Sequence, residues 1–182
     1  MKTKNLIIFH FQPLELYPPI MNILKFGEKY SSEFNIYVIT NYSSIKLRPF
    51  KAIKSNIYIV RVNKLKKKSF LFKRLLNYLV FYLRCLYYLI KYCPKVVLYF
   101  ETISSLPAIL YKLLRRDKIS LFAHYHEYTS LQEYKNGMIL NRFNHWLENK
   151  YFKIYTWVSH TNQFRLDKFL LDHKLKFKNN NI

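Results

Sequence analysis

Six short apolar runs, most of them continuous rather than alternating, constrain this chain more than any other feature. They are NLIIFHF (5–11), FNIYVIT (34–40), NIYIVRV (56–62), KVVLYF (95–100), KISLFAH (118–124) and YTWVSH (155–160). A strand that is apolar on both faces belongs in a parallel sheet covered by helices, where neither face meets water. The intervening segments carry helical patterns. Pro18-Pro19 ahead of Ile20, Ile23 and Leu24 fits a helix with prolines in its first turn. SLPAILYKLLRR (105–116) has Ser104 or Ser105 as a cap and a stripe of Leu106, Ile109, Leu110 and Leu113. MILNRFNHWLENKYF (138–152) aligns Leu140, Phe143, Leu147 and Tyr151, and the run after Thr161 aligns Leu166, Phe169 and Leu170. The stretch between strands two and three, with Pro49 and little periodicity, reads as loop. Strand and helix alternate, so the expected fold is α/β: a doubly wound, Rossmann-like, mostly parallel sheet of about six to seven strands flanked by helices. Residues 1–175 are expected to form one domain, and 176–182 a frayed tail or a cut interdomain connection.

Charge narrows the partners. Lys and Arg number 31 against 10 Asp and Glu, a formal +21, which attracts polyanions: nucleic acid, anionic lipid or phosphorylated substrates. The abundant Lys, Asn, Ile, Phe and Tyr are also the residues of A+T-rich codons, so base composition is the competing explanation for part of the bias. Cys85 and Cys93 are the only cysteines and belong to no CxxC or Cys/His cluster, which reads as reduced, buried thiols in a cytosolic protein. LIIF in the N-terminal MKTKNLIIFHFQP is too short for the apolar region of a signal peptide.

The most basic and aromatic segment is KLKKKSFLFKRLLNYLVFYLRCLYYLIKYCPK (64–95). Its apolar core, Leu75 to Ile90, is 16 residues long and contains Asn77 and Arg84, short of the roughly 20 residues a membrane span needs. Two readings stay open. One is a crossover helix buried against the sheet. The other is an interfacial helix whose cations meet anionic headgroups, with Lys64, Lys66, Lys67, Lys68, Lys73 and Arg74 as the membrane-binding residues. Aromatic side chains among lysines also suit stacking on single-stranded nucleic acid, but no recognition motif accompanies them, and nucleic acid is not expected as a partner.

Chemistry-bearing residues gather where four strands end, the edge at which open α/β sheets bind ligands. They are His10 and Gln12; Glu101, Thr102, Ser104 and Ser105; His124, His126 and Glu127; and Ser159, His160, Thr161 and Asn162. His124 and His126, two apart on a strand, could chelate zinc, but no third or fourth ligand is evident, HExxH is absent, and no metal is expected. No GxSxG elbow marks a nucleophile. Gly27 and Gly137 are the only glycines and neither lies in a phosphate-binding loop.

In FHFQPLELYPPIMNILKF, VVLYFETISSLPAIL, SLFAHYHEY and WVSHTNQFRLDKFL, taken in order and spacing, the chain resembles the N-terminal, acceptor-side half of GT-B glycosyltransferases of the family 4 (group 1) kind. The resemblance implies transfer of a sugar from a nucleotide-sugar cosubstrate, with no bound cofactor, to a cell-surface polysaccharide or lipid-linked acceptor. Carried over by position, His126 and Glu127 are the catalytic candidates. His10, Gln12, Glu101 and Ser104 are candidate acceptor contacts, and His124, Ser159, Asn162 and Arg165 further cleft residues. The family's C-terminal donor-binding domain has no counterpart in these residues, so the chain alone is expected to be inactive: a truncated product, a fragment, or one part of a split enzyme completed by a separate donor-binding half. The family also implies docking on the cytoplasmic face of the cell membrane. The alternative is a noncatalytic basic domain that binds anionic membrane or a partner protein, with nucleic acid ranked behind both.

Overall fold

The computed structural model describes residues 4–30, 33–43, 50–52, 54–64 and 70–173. Lys66, Lys67 and Lys68, most of the loop expected between strands two and three, and the tail at 176–182 lie outside these. The strands are β1 (Lys4–Pro13), β2 (Phe34–Tyr42), β3 (Ile57–Lys64), β4 (Val96–Phe100), β5 (Ser120–Tyr125) and β6 (Trp157–His160). The helices are α1 (Pro18–Tyr30), α2 (Leu71–Tyr92), α3 (Ser105–Arg115), α4 (Leu131–Asn136), α5 (Ile139–Lys150) and α6 (Gln163–Asp172). The strands form one all-parallel sheet in the order β3-β2-β1-β4-β5-β6, a Rossmann-like arrangement flanked by helices. The chain divides into two compact units, Met1–Val97 and Leu98–Ile182.

In the first unit, β1 runs beside β2 with Ile7, Ile8 and Phe9 level with Tyr37, Val38 and Ile39, and β2 runs beside β3. Ile7, Ile8, Phe9, Val38 and Ile39 have no exposed surface, as the continuous apolar runs require. The β1–β2 register breaks between Phe9 and Pro13, where a proline supplies no N–H to the ladder. Two buried polar residues of β2 satisfy the carbonyls freed there: Asn41 Nδ2 donates to Phe11 O and Thr40 Oγ1 to Gln12 O, both at 2.6 Å. Helix α1 approaches β2 so closely that a Cβ on Gly27 would sit 2.8 Å from Ile36 Cδ1, which accounts for glycine inside a helix. Glu15 pairs with Arg61 and accepts from Phe50 N at 2.9 Å. Burial works to raise the Glu15 carboxyl, but these donors outweigh it and hold the group below its ordinary value.

Helix α2 packs through Tyr78, Phe81, Tyr82, Cys85 and Leu89. Phe11 stacks on Tyr78 at 4.2 Å, and Tyr92 at the helix end stacks on Tyr37 at 3.9 Å. The helix stops at Cys93, whose left-handed φ of 43° lets its N–H bond Leu89 O, and Pro94 then bars continuation; at this helix end Cys93 is exposed, and of the two cysteines Cys85 alone is buried as expected. Its opposite face is apolar and exposed, so the crossover reading describes only half of the helix. No helix among the described residues is long and apolar enough to cross a membrane.

In the second unit, β5 and β6 pair with His124 level with Ser159 and Tyr125 with His160. Two helices bury faces rotated from those the apolar spacing indicated, with Ile109 and Leu147 common to both. Helix α3 buries Ser105, Ala108, Ile109 and Tyr111, while Leu110 is exposed. Helix α5 buries Asn144, Leu147 and Glu148, leaving Phe143 exposed. The polar residues of α5 have dedicated partners described below, so on that helix hydrogen bonding outweighed hydropathy. Helix α6 buries Leu166 and Phe169 as expected. Helix α4 was not anticipated, although its signature is plain: Ser130 and Glu133 form a reciprocal capping box. Ser104 precedes α3, but its side chain makes no capping bond, contrary to the expected cap.

Candidate functional site

The polar residues at the ends of β4, β5 and β6 all belong to the second unit, and the structure brings several together. Glu101, directly after β4, has φ 62° and ψ 148°. A non-glycine residue held there costs about 1–3 kcal/mol, and such strain clusters at functional sites. Its surroundings enforce the geometry. Glu101 N donates to His124 O at 3.1 Å, and Ser104 N donates to Glu101 O at 2.9 Å across the tight turn Thr102–Ser104. The Glu101 carboxylate then accepts from the backbone N–H of His126 at 2.8 Å.

His126 is held from its other side as well. Its carbonyl accepts from Thr161 Oγ1 at 3.0 Å and from Arg165 Nη1 at 2.5 Å. Asn162 caps α6 by accepting from Arg165 N at 2.9 Å, so these two residues anchor the segment after β5 to the start of α6. The backbone of His126 is thus clamped between an anion from the β4 end and a cation from α6, while its half-buried side chain extends from a fixed base. The carboxylate placed on His126 is that of Glu101. Glu127 is exposed and lines a cavity of about 320 Å³ with Tyr128, Phe164, Arg165 and Lys168. Glu101 lines a smaller hollow of about 140 Å³ with Thr102, Ile103, Thr129, Glu133, Tyr134, Gly137 and Asn141.

His124 and Ser159 serve each other. His124 Nδ1 lies 2.8 Å from Ser159 Oγ, across the β5–β6 pair. Burial, then the neighbouring His126, lowers the His124 pKa to about 4, so the ring is neutral at pH 7. His160 stacks on Tyr125 with centroids 5.2 Å apart, and burial, then its neighbours His124, Arg165 and His173, lower it also to about 4. Two expected acceptor contacts need correction. His10 is 1% exposed, lies 4.1 Å from the Tyr17 ring, and is lowered by burial to about 3. Ser104 is 0% exposed. Neither offers a surface to an acceptor, because each is packed into the interior of its own unit. Gln12 is exposed, and its carbonyl is taken by Thr40. Lys64, Lys73 and Arg74 are exposed. Among the described residues, no group of three or more His, Cys, Asp or Glu is arranged to hold a metal ion.

Beneath the β4 and β5 ends lies a network that spacing alone did not reveal. Glu148 on α5 is 3% exposed, and its Oε1 accepts from the hydroxyls of Tyr99 and Tyr125, both at 2.7 Å. The Tyr155 hydroxyl lies 2.8 Å from that of Tyr99. Burial raises the Glu148 pKa to about 7, against the opposing effect of these donors. Asn144, one turn away, donates to Thr102 O at 3.2 Å, and Thr102 Oγ1 lies 2.7 Å from the Tyr134 hydroxyl. Helix α5 therefore supports the Glu101 turn from below. The available signal was Asn144 and Glu148 spaced one turn apart on a helix, facing strands with an unusual supply of tyrosine.

No protein-family model and no curated protein matches the sequence. Solved structures do match. Sucrose-phosphate synthase from Thermosynechococcus elongatus aligns with a TM-score of 0.62 at 9% identity, over 92% of this chain and 44% of that one. A UDP-N-acetylglucosamine 2-epimerase aligns at 0.56 with 13% identity, over 93% and 45%. UDP-GlcNAc 2-epimerase from Neisseria meningitidis, bound to UDP-GlcNAc, aligns at 0.54 with 13% identity, over 96% and 44%. The chain thus spans less than half the length of these three proteins. The likeness is one of fold, that of a GT-B half-domain.

Proposed function

We propose that this chain is the acceptor-side half of a GT-B glycosyltransferase, which moves a sugar from a nucleotide-sugar to a polysaccharide or lipid-linked acceptor in concert with a donor-binding half. The observation that carries this reading is the clamped His126 at the end of β5. A strained Glu101 and the Arg165 guanidinium hold its backbone from opposite sides. A strand end fixed at this energetic cost is what a group that must meet a transition state requires, since positioning within fractions of an ångström is where such sites gain rate. In this role the His126 imidazole hydrogen-bonds the transferring sugar, and Glu101 acts as a positioning residue through the His126 backbone. Glu127 and Arg165 line the larger cavity beside it, and charge of both signs there suits a polyhydroxylated ligand. The nucleotide-sugar is a cosubstrate, and most of its contacts belong to the donor half.

The test is incorporation of label from radioactive nucleotide-sugars into membrane lipid and polysaccharide. Cells expressing the wild-type chain are compared with cells expressing His126→Ala and with cells lacking the chain. Incorporation that depends on the chain and falls at least roughly a hundredfold in the variant supports the reading. Full incorporation with His126→Ala, or interconversion of UDP-sugars without transfer, overturns it.

A further inference from the structure

The exposed face of α2 is the largest feature that the proposed chemistry leaves unused. Phe72, Leu75, Leu76, Leu79, Leu83, Tyr87 and Ile90 are all between 47% and 78% exposed. At about 100° per residue they fall within a face about 120° wide, opposite the packed face of Tyr78, Phe81, Cys85 and Leu89. The face runs about 27 Å along the axis. A contiguous apolar strip of this length on a surface marks an interaction site.

The charges beside it indicate what covers it. Lys73, Arg84 and Lys91 are exposed and fall in one row, roughly 100–120° around the helix from the Phe72–Ile90 line. Lys64 is exposed on the strand before the helix, and the 22 residues of α2 include no acid. The occupant must therefore be apolar along a straight ridge and negative at its edge. A second copy of this chain would oppose one basic row and a +21 molecule to another, which disfavours self-association. An acidic protein would satisfy the charge, but the strip is convex. Its large apolar side chains carry one polar tip, the Tyr87 hydroxyl, so it has little with which to specify a partner's shape. A bilayer surface asks for no such specification.

We propose that α2 is a membrane-docking helix that lies in the interface of an anionic bilayer. Its Phe72–Ile90 strip enters the acyl boundary, and Lys73, Arg84 and Lys91 reach lipid phosphates at headgroup level. A cation about a quarter turn from the centre of the buried strip sits at that level when the helix lies flat. The attachment is peripheral, and it stands independently of the glycosyl-transfer reading.

Vesicle co-sedimentation of the whole chain tests it, with phosphatidylcholine alone compared against phosphatidylcholine containing phosphatidylglycerol. The expected result is binding to the anionic vesicles, weakened at least roughly tenfold by Leu79→Gln/Leu83→Gln and about a hundredfold by Lys73→Gln/Arg84→Gln/Lys91→Gln. All five positions are exposed, and far-ultraviolet circular dichroism checks that each variant is folded. Equal binding to neutral and anionic vesicles overturns the proposal, as does anionic binding that ignores the leucine substitutions. Sedimentation equilibrium showing a dimer abolished by Leu79→Gln/Leu83→Gln would overturn it by assigning the strip to a second copy. Lipid-independent capture of an acidic protein through the strip would overturn it in favour of a protein partner.

Discussion

Glu148→Gln should change how stability depends on pH. In the folded chain the Glu148 carboxyl titrates near 7, against an ordinary value of 4.5, because burial penalises its charge. A raised acid pKa contributes stability that is fully present below 4.5 and is lost as pH rises toward 7, since across that window only the unfolded chain releases the proton. At about 1.4 kcal/mol per pH unit, the loss between these limits is roughly 3 kcal/mol. Five histidines act in the opposite sense. His10, His124, His145, His160 and His173 all have lowered pKa values, burial being the first cause in each, so they destabilise the fold as pH falls below 6.5. The wild-type profile alone therefore mixes both effects. The substituted glutamine copies the neutral acid and keeps an oxygen for the Tyr99 and Tyr125 hydroxyls, so subtracting the two profiles cancels the histidines. Urea denaturation of both proteins at about pH 5 and pH 7.5 should show the variant gaining roughly 2–3 kcal/mol relative to wild type on going to the higher pH. Parallel profiles would refute the argument, because they would mean that Glu148 ionises in the folded state as readily as in the unfolded one.

Two further substitutions probe the scaffold of the site. Glu101→Ala removes the bond to His126 N and keeps the strained φ of 62°, whereas Glu101→Gly removes the same bond and relieves the strain. The glycine variant should therefore be the more stable by about 1 kcal/mol in thermal unfolding, and an alanine variant of equal or higher stability would show that no strain is stored there. Ser130→Ala breaks the capping box of α4 and should cost about 1 kcal/mol, seen as faster amide exchange over residues 131–136; unchanged exchange would mean that tertiary contacts alone hold this helix.

The legible part of the site was its location. Polar residues following β4, β5 and β6 could be assigned to strand ends because the apolar runs before them fix where each strand stops. Their roles depended on partners distant in sequence. Glu127 follows His126 directly and is its natural companion by adjacency, yet the chain turns so that Glu101, 25 residues earlier, reaches the His126 N–H. His10 lies within β1 and Ser104 in the turn after β4; local sequence says nothing of their depth, and both are buried.

By itself, the sequence determined the parallel α/β class, since continuous apolar strands between helices have one stable way to hide both faces. It also placed the prolines that open α1 and close α2, because a proline acts on its own backbone and needs no partner. It established that α2 is apolar around most of its circumference and free of acids. Tertiary structure alone decided which side of α2 is packed, because both sides offer similar hydrophobicity and only the shape of the sheet chooses between them. It likewise turned α5 so that Asn144 and Glu148 face inward. Hydropathy places such residues outside; the turn at Thr102 and the hydroxyls of Tyr99 and Tyr125 supply the hydrogen bonds that let them in.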